Sequence, residues 1–545
     1  MFSQTGVSSL LKDGGRHYSG TEEAVLRNVE ACVTLTRKLR SSMGPQSMQK
    51  LLVNHIDKVF VTSDAAVMTE QMEVEHPAAK LLVQAAQLQN SEFGDGTNFV
   101  MVFAGELLSQ ASALIKQGLH LADIIRGFKI ASQESLRILP EFVCWSIPEV
   151  ADEANLEKAV RTVVASKRYG MEDMVAGLVA KAACRVYKPG VAFNVDNVRV
   201  SKVTGGSLAA SEVVEGMVHE RQPTSRCTSK GACKAMALGV GLETVSTETK
   251  GTVLVNTAEE LMQFTAEDET KIEAVVKSIK DAGVEVIIVG GNISDTAQHY
   301  VNKYDLLTIR TPSKFELNRL CRTVGAIPLT YMRAPSPEEV GFADSVKQVE
   351  IGSRMVTVIK SRDSVVSTIV LRGSTKNMMD EVERAIEDAV LCVKSMTKDV
   401  RFLPGAGAAD MALAGRIEDF GKIHTGLEQY AIAAFAEALR VVPQVLAENA
   451  GHDTMQALTK LLHEHSNGLS TVGVDVAGPN FCLDAADNGI LDHFETRLWA
   501  LKLAVDSALT ILRVDELIMA KPAGLKGPPK DGHWDDKEDM MPMGN

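Results

Sequence analysis

The sequence predicts a multidomain α and α/β protein, helical at both ends and alternating between strand and helix in the middle. Three observations predict it. A chain of 545 residues exceeds one ordinary core, so about three domains are expected on size. The stretch 98–116 is apolar on nearly every side (Phe99, Val100, Val102, Phe103, Leu107, Leu108, Leu114, Ile115), as in a helix buried inside a bundle. From 192 the texture changes to Phe193-Asn194-Val195-Asp196-Asn197-Val198-Arg199-Val200, an alternating strand, and after 404 it returns to helix.

Taken in order, residues 22–147 read as mainly helical. A first helix from Glu22 to Ser42 runs into the tight loop Met43-Gly44-Pro45-Gln46-Ser47-Met48-Gln49-Lys50. A short strand pair follows around Leu51-Leu52-Val53 and Val59-Phe60-Val61. Pro77, in His76-Pro77-Ala78, is well placed at a helix start.

In the region 216–368, Thr257-Ala258-Glu259-Glu260 and Ser313-Lys314-Phe315-Glu316 have capping-box spacing. They open helices expected to reach about Lys280 and Val324. Val284 to Val289 reads as an apolar strand, broken only by Glu285, ending at Gly290-Gly291; no GxGxxG follows, so a simple turn is the better reading. Gly426 to Gly451 is one long helical stretch with a kink expected at Pro443. A last helix spans Thr496 to Leu512, and Val514-Asp515-Glu516-Leu517-Ile518 leaves it as a strand. The Pro-, Gly-, Lys- and Asp-rich tail from Pro522 is expected to be disordered.

Composition narrows the function classes. Hydrophobic residues are 45% and charged residues 23% of the chain, as in ordinary globular proteins. A net charge of −13 argues against a nucleic-acid partner, which needs a basic stripe. It also offers no basic patch to an anionic membrane, and no apolar run approaches the ~20 residues that span one. The eight cysteines form no CxxC pair, which suits reduced thiols, and Met1 to Lys12 lacks a signal pattern. A cytoplasmic protein is expected.

Chemistry concentrates in Val61-Thr62-Ser63-Asp64-Ala65-Ala66 and in Gly94-Asp95-Gly96-Thr97, which opens the apolar helix. Glycines at φ > 0 let backbone N–H groups approach a phosphate, and a helix N-terminus adds donors. A carboxylate set in such a loop holds a divalent metal that bridges to the phosphate. The bland alternative is a glycine turn with an Asp N-cap. Further glycine loops stand at Pro404-Gly405-Ala406-Gly407-Ala408-Ala409-Asp410 and Gly426-Leu427-Glu428-Gln429-Tyr430. If Asp64, Asp95 and Gly405 share one site, the two ends of the chain fold together and the middle is an insertion that hinges where the chain crosses twice. His463-Glu464-His465 could suggest a metal, but i, i+2 histidines do not share a helix face, so a surface helix end is the better reading.

This order of motifs, over nearly the whole chain, resembles the group II chaperonins, the ATP-driven protein-folding rings of archaea and the eukaryotic cytosol. Val53-Asn54-His55, Phe60-Val61-Thr62, Ile511 to Asp515 and Lys521-Pro522-Ala523-Gly524 resemble one subunit type of the eukaryotic ring. The resemblance implies a chaperonin fold of three domains. A helical equatorial ATPase domain would take 1–148 and 404–545, a small intermediate hinge domain 149–215 and 369–403, and an α/β apical client-binding domain 216–368. A helical protrusion over about 246–280, with Met262 and Phe264, would serve as a built-in lid; an amphipathic helix pair is the alternative.

The resemblance also implies roles for single residues. Asp95 would ligate Mg²⁺ on the phosphates of ATP, with Gly94, Gly96 and Thr97 cradling them. Gly44 and Pro45 would form the opposite wall, Gly405 and Gly407 would border the ribose and phosphates, and Asp492 would contact the ribose. Asp388, in Asp380-Glu381-Val382-Glu383-Arg384-Ala385-Ile386-Glu387-Asp388, would orient the attacking water with help from Asp64, and Lys167 would sense the γ-phosphate. Without the family match, Asp388 reads as one solvated acid among several and Lys167 as a helix-terminal lysine.

Unfolded clients, cytoskeletal proteins among them, would meet Lys314, Phe315, Asn318 and Arg322, and paralogous subunits would complete a hetero-oligomeric double ring of eight per ring. Three loops depart from the family pattern: Gly44-Pro45-Gln46-Ser47 for Gly-Pro-Lys-Gly, Ser63-Asp64-Ala65-Ala66 for Asn-Asp-Gly-Ala, and Gly405-Ala406-Gly407-Ala408 for Gly-Gly-Gly-Ala. An Ala where φ > 0 is needed costs about 1–2 kcal/mol. An active ATPase is expected, with a structural subunit that binds nucleotide weakly or without turnover as the alternative.

Overall fold

The computed structural model describes residues 16–18, 21–243, 257–352, 354–362 and 364–519. Helices dominate 21–186 and 376–512, and most strands fall between 198 and 373. The N-terminal eleven residues of the expected lid protrusion and the tail from 522 lie outside the described residues.

The first core joins the two ends of the chain. Val25, Val29, Phe99, Phe103 and Phe128 from the N-terminal helices pack with Phe435, Leu439, Ala504 and Val505 from the C-terminal ones. Phe435 meets Phe103 edge-on, with ring centroids 5.6 Å apart. Each fully buried phenylalanine contributes about 1.5–3 kcal/mol. The helix Thr97–Lys116 runs through this core, as its all-round apolar sequence requires. It approaches Thr21–Arg40 so closely that a Cβ on Gly105 would lie 2.1 Å from Thr36 Oγ1. Two stretches, Thr97–Lys116 and Glu428–Asn449, are long and apolar enough to cross a membrane by length and composition, which amends the reading of the sequence. Their apolar windows are 56% and 67% buried inside the protein, so interior packing accounts for them.

A second core gathers Leu156, Val160 and Val164 of Glu153–Lys167, Val175 and Val179 of Glu172–Val186, Val382 and Ile386 of Lys376–Met396, and Phe402. It lies on a six-stranded mixed sheet ordered Val198–Thr204, Ser367–Gly373, Glu212–His219, Arg354–Lys360, Ser345–Ile351 and Ser229–Lys230. Ser367–Gly373 pairs parallel with Val198–Thr204 and antiparallel with Glu212–His219.

A five-stranded sheet is buried on both faces. Val286 and Ile288 join a core with Leu317 and Leu320, while Ile287 and Val289 join another with Val276 and Ile279. That two-sided burial explains why the strand Val286–Val289 is apolar at every position rather than alternating.

Two expectations need correction. The strand foreseen from 192 begins at Val198, because Asn194 Oδ1 accepts from Asp196 N at 3.0 Å and turns Val195–Asn197 into a short 3₁₀ helix. The single helix foreseen over 426–451 is two, Glu428–Leu439 and Val441–Asn449, with the break at Arg440. Pro443 has no N–H for the Leu439 carbonyl four residues earlier, so the ladder fails upstream of the proline.

Candidate functional site

Gly94 and Gly96 both adopt left-handed backbone, φ 73° and 82°, one ending the helix Pro77–Phe93 and the other starting Thr97–Lys116. Only glycine fits at 94 for a second reason: a Cβ there would lie 2.8 Å from the Cα and carbonyl oxygen of Asp388. The loop therefore sits against the helix Lys376–Met396. Gln89 Nε2 fixes it by donating to the carbonyls of Asp95 (2.9 Å) and Thr496 (3.1 Å). The helix that follows has no side-chain cap, and Thr97 Oγ1 is buried without a partner. Unsatisfied amides, an orphaned hydroxyl and glycines that leave room make a cradle for an anion.

The wall at Gly44 and Pro45 is tied to this cradle. Asn98 Nδ2 donates to Ser42 O at 2.7 Å, and Asn449 Nδ2 to Met43 O at 2.8 Å. Gly44 has φ 88°, and a Cβ there would strike Leu446. From the C-terminal half, Arg401–Pro404 pairs with Leu491–His493, setting Leu403 opposite Asp492. A Cβ on Gly405 would come 3.1 Å from Asp492 Oδ1. Gly407, φ 76°, starts the helix Ala408–Ile423, also without a side-chain cap.

The acids meet around one lysine. Lys167, the last residue of Glu153–Lys167, donates from Nζ to Asp64 Oδ1 at 2.6 Å. The same nitrogen forms an ion pair with Asp388 Oδ2 at 3.2 Å, and that oxygen is buried with no hydrogen bond. Asp64 also caps Ala65–Gln71 through Ala66 N at 3.2 Å.

The two carboxyls titrate apart. Burial raises Asp64, but Lys167 outweighs it, and Asp64 ends below the usual carboxylate range. Burial pushes Asp388 up to about 7, since Lys167 offsets only part of it and the charges of Asp64 and Asp95 add to the rise. Lys167 itself is lowered by burial but raised more by Asp64 and Asp388, so it stays charged. Asp492 is pushed up to about 6 by the protein packed around it, against the pull of Arg497. Asp95 is close enough to act on Lys167, Asp388 and Asp492.

The structure thus brings Asp64, Gly94, Asp95, Gly96, Thr97, Lys167 and Asp388 to one place, with Gly44 and Pro45 on one flank and Gly405, Gly407 and Asp492 near the other. Lys314, Phe315, Asn318 and Arg322 lie elsewhere, exposed on the helix Lys314–Val324. Phe315 is 76% exposed, whereas Leu317 and Leu320 pack on the five-stranded sheet. Arg322 donates to Asn197 Oδ1 at 3.4 Å. His465 Nε2 meets Val472 O at 2.8 Å, and among the described residues no three His, Cys, Asp or Glu converge as a metal cage.

Of the altered loops, Ala406 alone carries backbone strain, at φ 54°. Ala65 is buried inside a helix turn, where a methyl is at home. Sequence reasoning missed Glu381 and Arg384, which stand seven and four residues before Asp388 and so share its helix face. Glu381 accepts from Gln49 at 2.6 Å and Arg168 at 3.3 Å. It also missed Arg497, which pairs with buried Asp410 and lies over the Phe99 ring.

A model of the TCP-1/cpn60 chaperonin family matches residues 35–522. The chain is 44% identical to T-complex protein 1 subunit theta of Homo sapiens over 539 residues, 98% of each chain. It is 42% identical to the Arabidopsis thaliana theta subunit over 96% of each. Identity is 45% to the probable theta subunit of Schizosaccharomyces pombe, over 97% of this chain and 98% of that one.

Proposed function

The chain belongs to the TCP-1/cpn60 chaperonin family and is a group II chaperonin subunit with a folding function, and we propose that it hydrolyses ATP at the acid cluster to drive that work. The observation that carries the proposal is Asp388 Oδ2, buried beside the glycine cradle and left without a hydrogen bond. An acceptor held there suits a water aimed at the terminal phosphate.

Phosphoryl transfer to water needs positioning and charge neutralisation more than a strong base. In the step proposed, the water oxygen bonds to the terminal phosphorus as the bridging P–O bond breaks. ADP leaves with the electron pair, and Asp388 takes the water's proton before passing it to phosphate. Asp64 holds Lys167 in place, and Lys167 reports whether a terminal phosphate has arrived by exchanging one anionic partner for another. Gly94, Gly96 and Thr97 offer N–H groups and a hydroxyl to the phosphates, Gly44 and Pro45 close the far side, and Gly405, Gly407 and Asp492 accommodate the ribose. The residues fit Mg²⁺: Asp95 supplies the hard carboxylate oxygen such an ion takes alongside substrate phosphates and waters, and the ion's part is to neutralise phosphate charge.

Supported by the grouping of cores, the domain reading is 1–148 with 404–545 equatorial, 149–215 with 369–403 intermediate, and 216–368 apical. Lys314, Phe315, Asn318 and Arg322 are then client contacts facing the cavity. The theta likeness supports a hetero-oligomeric assembly of paralogous subunits; a cytoplasmic double ring, eight per ring, acting on unfolded clients such as cytoskeletal proteins, is the proposal that the resemblance of the motifs adds.

A second reading, a ring member that binds nucleotide weakly or without turnover, is favoured by one feature: Ala406 holds φ 54° in the loop beside Asp492. One experiment separates the two. In the ring purified with this chain wild-type or Asp388→Ala, azido-ATP is cross-linked to it and loss of the γ-phosphate is followed. Turnover in wild type and persistence in the variant are expected. Slow labelling unchanged by the substitution leaves the structural reading.

A further inference from the structure

Arg384 lies one turn before Asp388 on the helix Lys376–Met396, so the two side chains leave the same face. Its Nη1 is buried with no acceptor. Of the carboxylates that feel its charge, Asp64 is committed to Lys167 and Glu381 to Gln49 and Arg168, while Glu387, three residues on, makes no hydrogen bond or ion pair with it. The guanidinium is half-buried, and its one buried nitrogen without an acceptor costs free energy in the nucleotide-free protein. A ligand that supplied the acceptor would return it.

The surroundings say which ligand. Asp64, Asp95, Asp388 and Asp492 outnumber Lys167, which is itself pinned, and Gln46 stands exposed where the resemblance expects a loop lysine. A polyphosphate entering this acid-rich site lacks side-chain cations. Asp388 lies between the glycine cradle on one side and Arg384 on the other, since the Gly94 backbone abuts Asp388 and Leu391, toward the far end of the helix. A guanidinium fork on the Asp64 side of Asp388 is placed for the distal end of the phosphate chain and suited to two of its oxygens.

We propose that Arg384 is a further catalytic residue of this site, binding the terminal phosphate of ATP and balancing the charge that moves onto the β-phosphate oxygen as the bridging P–O bond breaks. The inference rests on the ATPase reading above for its rate effect, though not for its binding effect.

The test uses the assembled ring carrying this chain as wild type, Arg384→Gln or Arg384→Lys, with azido-ATP and azido-ADP as probes in the presence of Mg²⁺. Labelling of this chain is measured against probe concentration, and loss of the γ-phosphate against time. In Arg384→Gln the half-saturating azido-ATP concentration rises about tenfold or more, azido-ADP is unmoved, and turnover falls by about 10³ or more. Arg384→Lys, which keeps the charge but loses the fork, falls between. Equal weakening of both probes marks Arg384 as a structural prop and overturns the proposal, as does no change in either. If the wild type labels but never turns over, the ATPase reading fails by itself, and the ATP-minus-ADP difference still decides whether Arg384 grips the terminal phosphate. Should Arg384→Gln fail to enter the ring, the same comparison is made with Arg384→Lys.

Discussion

Lys167 serves two carboxylates with one ammonium, and the division is unequal. Asp64 takes the well-aligned 2.6 Å bond, while Asp388 sits 3.2 Å away and keeps an unsatisfied oxygen. Burial then decides the proton: Asp388, pushed up to about 7, holds one in the nucleotide-free protein under mildly acidic conditions. For an acid whose folded pKa stands above its unfolded value near 4, the stability it contributes is full below the unfolded pKa and is lost as pH rises through about 7. Asp388→Asn should therefore raise the hydrogen-exchange protection of its own helix at pH 8, by on the order of 1–3 kcal/mol, by about a third as much at pH 5, and hardly at all at pH 3. Lys167→Met should do the reverse at pH 8, costing about 3–5 kcal/mol, because it strands two buried carboxylates. An Asn variant less protected than wild type at pH 8 would show that Asp388 is held charged by something other than Lys167. At this scale Asp64, Asp95 and their glycines could be singled out because phosphate chemistry restricts residue types, whereas Asp388, Lys167 and Asp492 were reached only through the family resemblance. Arg384 and Glu381 were not read, since nothing in a run of helical charges says which face is inward until the helix has a neighbour.

Among the elements, the helix Thr97–Lys116 shows propensity and packing opposed. Gly105 stands in its middle, where alanine would gain about 1 kcal/mol of helix propensity. Its Cβ, however, would fall 2.1 Å from Thr36 Oγ1 and 2.6 Å from Thr36 Cβ. Rotating Thr36 moves the hydroxyl but not its Cβ, so the two helices must part, at about 1–3 kcal/mol. Packing wins: Gly105→Ala should destabilise the first core by up to about 2 kcal/mol in thermal unfolding, with partial recovery in Thr36→Gly and none in Thr36→Ala. Variants as stable as wild type would mean the helices have slack. Most helices were legible from apolar periodicity and capping boxes, as with Ser313 before Lys314–Val324. One failure has a local cause that pattern does not carry, Asn194 diverting the backbone into a turn; the kink expected at Pro443 is there as a full break, three residues upstream at Arg440. Sheet order, such as Ser367–Gly373 lying between Val198–Thr204 and Glu212–His219, depends on pairings across more than a hundred residues that no window of sequence contains.

For the whole molecule, the order of motifs already implied that two distant ends share a site, and the first core does join them. What the order could not give is how the returning chain is fastened to that site. Two fastenings stand side by side: Lys167 reaches Asp64 and Asp388, and Glu381 takes Gln49 and Arg168 at 2.6 and 3.3 Å. The second involves no proposed phosphate ligand, and burial raises Glu381 in spite of Arg168, so its charge is held at a cost. Gln49 belongs to the loop that begins at Gly44, so Glu381 ties the far wall of the cradle to the helix bearing Asp388. Under the hinge reading, that tie must part for the wall and helix to separate and let nucleotide leave. Glu381→Ala should then speed release of azido-ADP from this chain about three- to tenfold, as the loss of one solvent-exposed hydrogen bond at ~1 kcal/mol implies, while turnover per bound nucleotide is unchanged. Stopped-flow release and single-turnover hydrolysis on the same ring separate the two quantities. Release unchanged with turnover reduced would place Glu381 with the chemistry instead, and the coupling between wall and helix would then run through Lys167 alone.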